Sequence, residues 1–266
     1  MDKIKPIKHL GQNFLTDKNT VRKVMKTADL KPEDIILEIG PGLGALTQEL
    51  AKKAKKIIAV EKDARMCQVL KEQLKDFDNI EIINQDILKF EIIKLFKNLK
   101  FKIKNYKIVA NLPFYITAPV IRKFLESENP PQEMVLIIQK EVAQRISAQP
   151  PKMSILAISV QFYAKAKIIS YISKKSFNPQ PKVDAAIIKI KPEKKYQANS
   201  AKFFKIVKAG FSHPRKQLAN NLSKELKLDK QKLSSSLLKM GINPSQRAES
   251  LSIQDWINLS DNIHNS

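Results

Sequence analysis

The sequence is poor in cysteine and histidine. It contains one cysteine, Cys67, and three histidines. A single thiol excludes a disulfide framework and indicates a reducing compartment. So few soft ligands also leave no set of residues for a structural zinc site. We therefore predict that the chain binds no metal.

Long apolar runs are also missing. The chain has no stretch of about 18 apolar residues, the length that a membrane-spanning helix needs. Residues 1–10 are rich in lysine but lack the apolar segment of a secretory signal. We therefore expect a cytoplasmic enzyme or binding protein that has no membrane partner.

Acidic residues are scarce relative to basic ones. There are 26 of them against 48 lysines and arginines, which gives a formal net charge of +22. This excess favours a polyanionic partner such as nucleic acid, bound in a salt-dependent way. A lysine-rich, solvated surface is the alternative explanation of the charge alone. The length of 266 residues suits one α/β domain with a smaller appendage.

The few glycines are concentrated in one place. Three of the six, Gly40, Gly42 and Gly44, follow the apolar run Ile35–Ile39, and a helical pattern covers 43–53. An unbroken apolar run is typical of a buried parallel strand. Glycines allow a tight turn and a close approach to a ligand, and the first N–H groups of the helix can face that ligand. This order predicts a site for a nucleotide-like cofactor.

Acidic residues follow the next two predicted strands. Glu61 ends the strand 57–60 and lies 21 residues after Gly40, the spacing at which an acid meets ribose hydroxyls. Asp86 follows the strand 80–84, where a carboxylate could accept a hydrogen bond from an adenine amino group. Either acid alone could be a solvated strand end. Together they favour S-adenosylmethionine, because a dinucleotide site does not need the second acid.

A polar turn with an aromatic residue follows the fourth predicted strand. The strand 106–110 leads into Asn111, Leu112, Pro113 and Phe114, at the edge where open α/β sheets bind ligands. The Asn111 amide oxygen and the Leu112 carbonyl can accept hydrogen bonds from an exocyclic amine. Phe114 can stack on a base that has been turned out of its helix. An ordinary strand-to-helix connection is the alternative at this point.

The remaining pattern predicts more strands and then a helical C-terminal region. The first helix is predicted over 19–28 with a cap near Asp17, and a short basic helix within 89–107. That basic helix has either a solvated or a phosphate-contacting face. Further strands are predicted over 133–139, 155–162, 167–172 and 185–191, ending in an antiparallel edge. A linker over 194–200 precedes helices over 203–210, 217–226, 230–240 and 253–262. We therefore predict two domains, 1–195 and 196–266.

In their order, these motifs resemble those of the ribosomal RNA adenine dimethyltransferase family. The resembling residues are 11–15, 38–44, Glu61, Asp86, 111–114, the Phe-x-Pro-x-Pro-x-Val stretch from Phe177, the Arg-Lys-Gln-Leu segment 215–218, Asn-Asn-Leu at 220–222 and Arg-Ala-Glu at 247–249. The resemblance implies an α/β, Rossmann-like class I methyltransferase domain over 1–195, with an N-terminal arm, that depends on S-adenosylmethionine. It implies a small, all-helical RNA-binding domain over 196–266.

The resemblance also implies a set of cofactor-binding residues. They are Gln12, Asn13, Leu15, Glu38, Gly40, Gly42, Gly44, Glu61, Asp86 and Asn111. Within this set, Gln12, Asn13 and Leu15 would help to enclose S-adenosylmethionine. Glu61 would bind its ribose hydroxyls, and Asp86 would bind its adenine.

A second implied set surrounds the methyl acceptor. Its members are Asn111, Leu112, Pro113, Phe114 and Phe177. Asn111 and Leu112 would hold the target amine, with Phe114 and Phe177 as aromatic walls. No histidine or cysteine base is required, because the cofactor already carries an electrophilic methyl group. The family also uses Tyr at the position of Phe114, and residues 149–154 replace a turn that contains Gly and Tyr in the family.

The implied reaction is N6,N6-dimethylation of two adjacent adenosines near the 3′ end of small-subunit ribosomal RNA. The substrate would be a ribosomal precursor particle, and the enzyme a monomer. Gly11, Asp184 and the segment 215–218 favour this branch over the enzymes that dimethylate large-subunit RNA and confer macrolide resistance. A ribosome-assembly or transcription factor with little catalysis is a further alternative, which the intact Glu61, Asp86 and Asn111 disfavour. A dinucleotide-dependent oxidoreductase is the most distant one.

Overall fold

The structure is a computed structural model that describes residues 6–7, 10–91, 105–193 and 199–263. Contacts within the chain divide it into two units. The first comprises residues 1–144 and 165–192, and the second comprises residues 145–164 and 193–266. Most of the predicted basic helix within 89–107 and most of the predicted linker 194–200 lie outside the described residues.

Most predicted elements are present, with small shifts at their ends. The strands are β1 (Phe14–Leu15), β2 (Ile35–Ile39), β3 (Lys56–Glu61), β4 (Ile80–Asn84), β5 (Tyr106–Asn111), β6 (Glu133–Gln139), β7 (Ala164–Ile172), β8 (Phe177–Asn178) and β9 (Ala185–Pro192). The helices are α1 (Lys18–Ala28), α2 (Thr47–Ala51), α3 (Ala64–Gln73), α4 (Thr117–Leu125), α5 (Lys140–Ile146), α6 (Ile155–Gln161), α7 (Ser200–Gly210), α8 (Leu218–Leu226), α9 (Lys230–Lys239) and α10 (Ile253–Asn262).

The first unit is built on a seven-stranded sheet with the order β4-β3-β2-β5-β6-β9-β7. Strand β2 pairs in parallel with β3 on one side and with β5 on the other. Strand β3 pairs in parallel with β4, and β5 with β6, whereas β9 pairs antiparallel with β6. The chain leaves β2 toward β3 and β4 and later returns on the other side of β2 with β5. The carboxyl ends of these strands therefore meet at a topological switch point, where such sheets bind ligands. The predicted α/β class is confirmed.

Helices and burial explain why β2 carries no alternation of apolar and polar residues. All five residues of β2 are buried. Helix α1 begins at the predicted cap, where the Asp17 side chain accepts hydrogen bonds from Asn19 N and Thr20 N. The helix contributes Val24 and Ala28 to the same core cluster as Ile36 of β2. The strand is thus buried on both faces, as its composition predicts.

A short second sheet holds the N-terminal arm. Strand β1 pairs antiparallel with β8, which places Phe14 opposite Asn178 and Leu15 opposite Phe177. The Thr16 N–H also donates to the Ser176 carbonyl at 2.9 Å. Leu15 and Phe177 are buried in one core cluster. The residues just before β1 are therefore tethered beside the main sheet.

The second unit has its own helical core. Trp256 of α10 and Phe203 of α7 are completely buried in it. Gly210 at the end of α7 packs so closely on the Trp256 ring that a Cβ at this position would overlap it. The all-helical C-terminal region predicted from the sequence is therefore present.

The predicted strand over 155–162 is wrong, because these residues form helix α6. The Ser154 hydroxyl caps the helix by accepting a hydrogen bond from Ala157 N at 3.2 Å. A short apolar run does not by itself distinguish a strand from a buried helix. Residues 145–164 also pack in the second unit, where the Phe162 and Phe203 rings stack with centroids 4.2 Å apart. The units therefore divide the chain differently from the proposed domains 1–195 and 196–266.

Candidate active site

A pocket lies at the carboxyl ends of β2, β3 and β5 in the first unit. Five segments contribute most of its lining: residues 10–15 of the N-terminal arm, 38–43 of the glycine turn, 60–62, 85–87 and 111–116. These are the ends of strands or the turns that follow them, together with the arm. The sheet topology therefore brings together segments that are far apart in the sequence.

Twelve of the predicted site residues line this pocket. They are Gln12, Asn13, Leu15, Glu38, Gly40, Gly42, Glu61, Asp86, Asn111, Leu112, Pro113 and Phe114. Two predicted residues do not. A Cβ on Gly44 would lie 2.9 Å from Leu70 Cδ2, so this glycine allows the turn to pack on α3. Phe177 is 4% exposed and pairs with Leu15 in the small sheet, outside the pocket lining.

The glycine turn brings backbone close to the arm. Gly42 has φ 57°, and a Cβ built on it would lie 2.9 Å from Phe14 Cδ1. Gly40 has φ 65°, and its Cβ would lie 3.5 Å from Pro113 Cδ. Both positions require a positive φ, which glycine adopts without the strain of a side chain. The Phe14 ring also leaves no room for a side chain at Gly42.

The Glu61 carboxylate is held by the backbone at the end of β3. Its Oε2 accepts from Gly42 N at 3.2 Å, and its Oε1 accepts from Asp63 N at 2.9 Å. Burial raises the pKa of Glu61, while the Asp63 and Gly42 N–H groups oppose that shift. Each carboxylate oxygen can accept more than one hydrogen bond. Glu61 therefore joins the glycine turn to the following loop and still has acceptor capacity toward the pocket.

A second acid, Glu38, lies deeper in the pocket wall. It is 1% exposed, and burial, reinforced by the charge of Glu61, raises its pKa to about 8. The Thr47 hydroxyl opposes this shift. Within the described residues, neither Thr47 Oγ1 nor Glu38 Oε2 has a hydrogen-bond partner of acceptable geometry. Burial therefore favours the neutral form of Glu38, and its Oε2 is an unsatisfied buried oxygen, a group that costs free energy until it is paired.

Asp86 lies at the pocket in an ion pair. Its Oδ2 is 2.9 Å from Lys62 Nζ, and its Oδ1 accepts from Leu88 N at 2.9 Å. The Lys62 ammonium lowers the pKa of Asp86 more than any other group does. Asp86 is therefore ionised, and its carboxylate lies at the pocket.

The Asn111 amide is oriented by the arm. Its Nδ2 donates to the Asn13 backbone carbonyl at 3.0 Å. This hydrogen bond determines which of the two amide atoms faces the arm. Among the described residues, Asn111 Oδ1 has no partner. The neighbouring Leu112 N–H donates to the Ile137 carbonyl of β6 at 3.1 Å. The Asn111 oxygen is therefore available as an acceptor at the pocket.

A polar network that the motifs do not reveal holds the arm in place. Gln12 Nε2 donates to Asp63 Oδ2 at 2.9 Å, and Gln12 Oε1 accepts from Ile7 N at 2.7 Å. The Arg65 guanidinium binds both Asp63 oxygens and, as the largest cause, lowers the pKa of Asp63 to about 2. The sequence signal for Asp63 is its position as the N-cap of α3. Gln12 thus positions the arm as well as facing the pocket.

Comparison with known proteins identifies the family of this chain. The family model described as "Ribosomal RNA adenine dimethylase" matches residues 3–265. The chain belongs to the ribosomal RNA adenine dimethylase family. It is therefore a methyltransferase. Its family and its fold are those of methyltransferases that use S-adenosylmethionine.

Relatives in the family are similar in sequence to this chain over nearly its whole length. "Ribosomal RNA small subunit methyltransferase A" of Dehalococcoides mccartyi is 43% identical over 94% of this chain and 85% of its own length. The protein of the same name from Streptococcus pneumoniae is 42% identical over 96% of this chain and 90% of its own length. These names support the small-subunit interpretation over the large-subunit one.

Solved structures show the same fold. A dimethyladenosine transferase from Plasmodium falciparum has a TM-score of 0.79 and 26% identity, covering 92% of this chain and 95% of its own. The 23S rRNA methyltransferase ErmE has a TM-score of 0.75 and 25% identity, covering 94% of this chain and 98% of its own. The predicted methyltransferase fold is therefore confirmed.

The pocket fits the cofactor of the dimethylase family. Among the described residues, Glu38 Oε2 is a buried oxygen without a hydrogen-bond partner, and the Glu61 carboxylate is fixed by two N–H groups. No group of three or more His, Cys, Asp or Glu side chains in the described parts of the chain could hold a metal ion. No helix in those parts is both long and apolar enough to cross a membrane.

We expect Gly42→Ala to weaken S-adenosylmethionine binding about tenfold, because the new methyl group would displace Phe14 and the arm. Gly241→Ala is the matched control. Gly241 has φ 73°, but a Cβ there would have no atom within 4 Å. Both variants should lose about 1 kcal/mol of unfolding free energy through left-handed backbone strain, and Gly42→Ala should lose more because of the contact with Phe14. Calorimetric titration and urea denaturation measure the two effects. Equal cofactor affinities in the two variants would contradict the close-approach role of Gly42.

Proposed function

We propose that this protein transfers methyl groups from S-adenosylmethionine to the N6 atoms of two adjacent adenosines near the 3′ end of small-subunit ribosomal RNA. The product is N6,N6-dimethyladenosine, formed in a ribosomal precursor particle by a monomeric enzyme. The observation that carries the proposal is the Asn111 amide. The Asn13 carbonyl fixes its nitrogen, and its oxygen has no partner among the described residues at a pocket that Phe114 also lines.

Cofactor binding is assigned to the arm, the glycine turn and the two strand-end acids. Glu61 would accept hydrogen bonds from the ribose hydroxyls, and Asp86 from the adenine amino group. Gly40 and Gly42 would admit the cofactor without side chains in its way, and Leu15 would help to enclose it. The bound cofactor supplies a methyl group that its sulfonium makes electrophilic.

The target base is assigned to Asn111, Leu112 and Phe114. Accepting hydrogen bonds at Asn111 Oδ1 and the Leu112 carbonyl would hold both amino protons and direct the nitrogen lone pair. The amino group of adenine is a weak nucleophile, because its lone pair is delocalised into the ring. Such positioning can supply several kcal/mol of barrier reduction. Phe114 packs partly against the core and can present its ring to the base.

The proposed reaction uses no histidine or cysteine base. Among the described residues that line the pocket, none is a His or a Cys. Phe177 is buried and lies opposite Leu15 of the arm. Its role would therefore be to support Leu15 and not to contact the base. Catalysis then rests on orientation of the amine. The N6 atom would take the methyl group as the bond between that carbon and the sulfonium sulfur breaks, and it would then release a proton to solvent water.

Ribosomal RNA is the partner that the family implies. Residues 196–266 contain 11 lysines and arginines against five acidic residues, so the helical region offers its own positive surface for the RNA backbone. The remaining excess of basic residues belongs to residues 1–195. We therefore expect RNA contacts on both regions of the chain. Binding should therefore weaken steeply as the salt concentration rises.

The deciding experiment uses small-subunit particles from cells that lack the dimethyl mark. The particles are incubated with the protein and labelled S-adenosylmethionine, and the nucleosides are identified by mass spectrometry. Unmodified large-subunit RNA is treated in parallel. Dimethyladenosine in the small-subunit RNA alone is the expected result. Transfer only to large-subunit RNA would contradict the assigned target, and cofactor binding without transfer to either would favour an assembly factor.

A further inference from the structure

An exposed tyrosine stands beside the residues assigned to the target base. Tyr115 follows Phe114 in the 3₁₀ turn Phe114–Ile116 and lines the same pocket. Its residue exposure is 53%, whereas Phe114 packs partly against the core. The turn therefore carries two consecutive aromatic rings, of which one is anchored and the other lies open at the pocket mouth. An open ring at this place is available to contact a ligand larger than the pocket.

The Tyr115 ring is supported by the arm. A Cβ built on Gly11 would lie 3.2 Å from Tyr115 Cδ1 and 3.5 Å from its Cε1. The ring thus packs on a backbone segment that has no side chain of its own. The arm is tethered through Gln12, which bonds to Asp63. A ring that is already held in place loses little conformational freedom when a partner stacks on it.

A cation, Lys62, lines the same pocket as this ring. Its side chain is 52% exposed while pairing with Asp86. Grooves that bind single-stranded nucleic acid combine a cation for the backbone phosphate with an aromatic ring for the base.

We propose that Tyr115 and Lys62 form a subsite for the nucleotide next to the target adenosine. Tyr115 stacks on the base of that nucleotide, and Lys62 contacts its phosphate. The subsite rests on the proposed function, because it needs a target base turned into the pocket. One subsite can hold one neighbouring nucleotide, so it holds the neighbour on one side of the target only. For two adjacent adenosines, this neighbour is the second adenosine in one reaction and a different nucleotide in the other.

Tyr115→Ala, Tyr115→Phe and Tyr171→Ala test the subsite on the unmarked small-subunit particles. Tyr171 is the matched control, because it is 51% exposed on β7 and outside the pocket lining. We expect Tyr115→Ala to raise KM for the particles about tenfold, as for the loss of one stacked base. Its turnover number and its affinity for S-adenosylmethionine should stay close to wild type. Tyr115→Phe and Tyr171→Ala should resemble the wild type.

The two adenosines provide a second readout. At particle concentrations below KM, mass spectrometry of each position should show that Tyr115→Ala slows the two dimethylations to different extents. Particle binding, measured by filter retention, should weaken by the same factor as KM rises, and this measurement does not depend on turnover. A wild-type protein without methyl transfer would overturn the proposed function, whereas unchanged particle binding by Tyr115→Ala would overturn the subsite. An equal loss in Tyr115→Phe or Tyr171→Ala would also overturn it.

Discussion

Replacing Asn111 by alanine is expected to lower the turnover number by about 10²- to 10³-fold, while S-adenosylmethionine binds with nearly unchanged affinity. Two contacts disappear together. The variant lacks the oxygen that would hold the target amine, and it lacks the nitrogen that donates to the Asn13 carbonyl at 3.0 Å. Single-turnover kinetics on unmarked small-subunit particles, together with calorimetric titration of the cofactor, separate the two quantities.

Two further variants control this experiment. Asn19→Ala removes an exposed asparagine on α1, which lies outside the pocket, and should retain wild-type turnover. Asn111→Asp keeps the size of the side chain but cannot donate to Asn13, so two oxygens would face each other. It should therefore also lose turnover. Normal turnover in Asn111→Ala would refute the assigned role, and loss in Asn19→Ala would point to a general defect.

Replacing Glu61 by alanine is expected to weaken S-adenosylmethionine binding about 10- to 100-fold, the cost of losing charge-assisted hydrogen bonds. The variant removes the acceptor proposed for the ribose hydroxyls. It also leaves Gly42 N and Asp63 N without the carboxylate that now accepts from both. Calorimetric titration with the cofactor measures the loss. Turnover at saturating cofactor should change much less than affinity.

Glu133 offers the matched control for Glu61. It is a partly buried glutamate on β6 of the same sheet, it pairs with Lys189 at 2.9 Å, and it does not line the pocket. Glu133→Ala should therefore keep wild-type cofactor affinity even if it loses stability. Glu61→Gln, which retains one acceptor oxygen, should give an intermediate affinity. Unchanged affinity in Glu61→Ala would refute its assignment to the cofactor.

These two variants divide the proposed mechanism into binding and orientation. Glu61 lies at the end of β3 and Asn111 at the end of β5, on opposite sides of β2. A variant that affects only cofactor affinity and another that affects only turnover would show that the two strand ends act on different ligands. Defects in both quantities for both variants would indicate instead that the pocket is disturbed as a whole.

The central part of the site could be predicted from the sequence because its signals are local. A glycine must occupy a turn with positive φ and close contacts, and a buried parallel strand must be apolar on both faces. The acids Glu61 and Asp86 follow such strands directly. Parallel strands align their carboxyl ends, so residues at these ends become neighbours once the strand order is known.

Contacts between distant segments could not be predicted in this way. The Asn13 carbonyl orients Asn111 across 98 positions of sequence, and Gln12 reaches Asp63 across 51. Motif spacing identifies Gln12 and Asn13 but does not show that one acts through its side chain on the arm and the other through its backbone. Phe177 and Gly44 belong to motifs as well, yet packing places them against Leu15 and Leu70 and not at the pocket.

The sequence by itself determined the fold class, the family and the pocket-forming turns, because each depends on residue types within short segments and on the order of those segments along the chain. Only the tertiary structure decided which partners complete those turns and which unit a segment joins. Residues 155–161 show the difference, since their apolar run is compatible with either a strand or a helix. They form a helix because Ser154 caps them and the rings of Phe162 and Phe203 stack in the second unit. Long-range packing of this kind contributes free energy that cannot be predicted from a local sequence pattern.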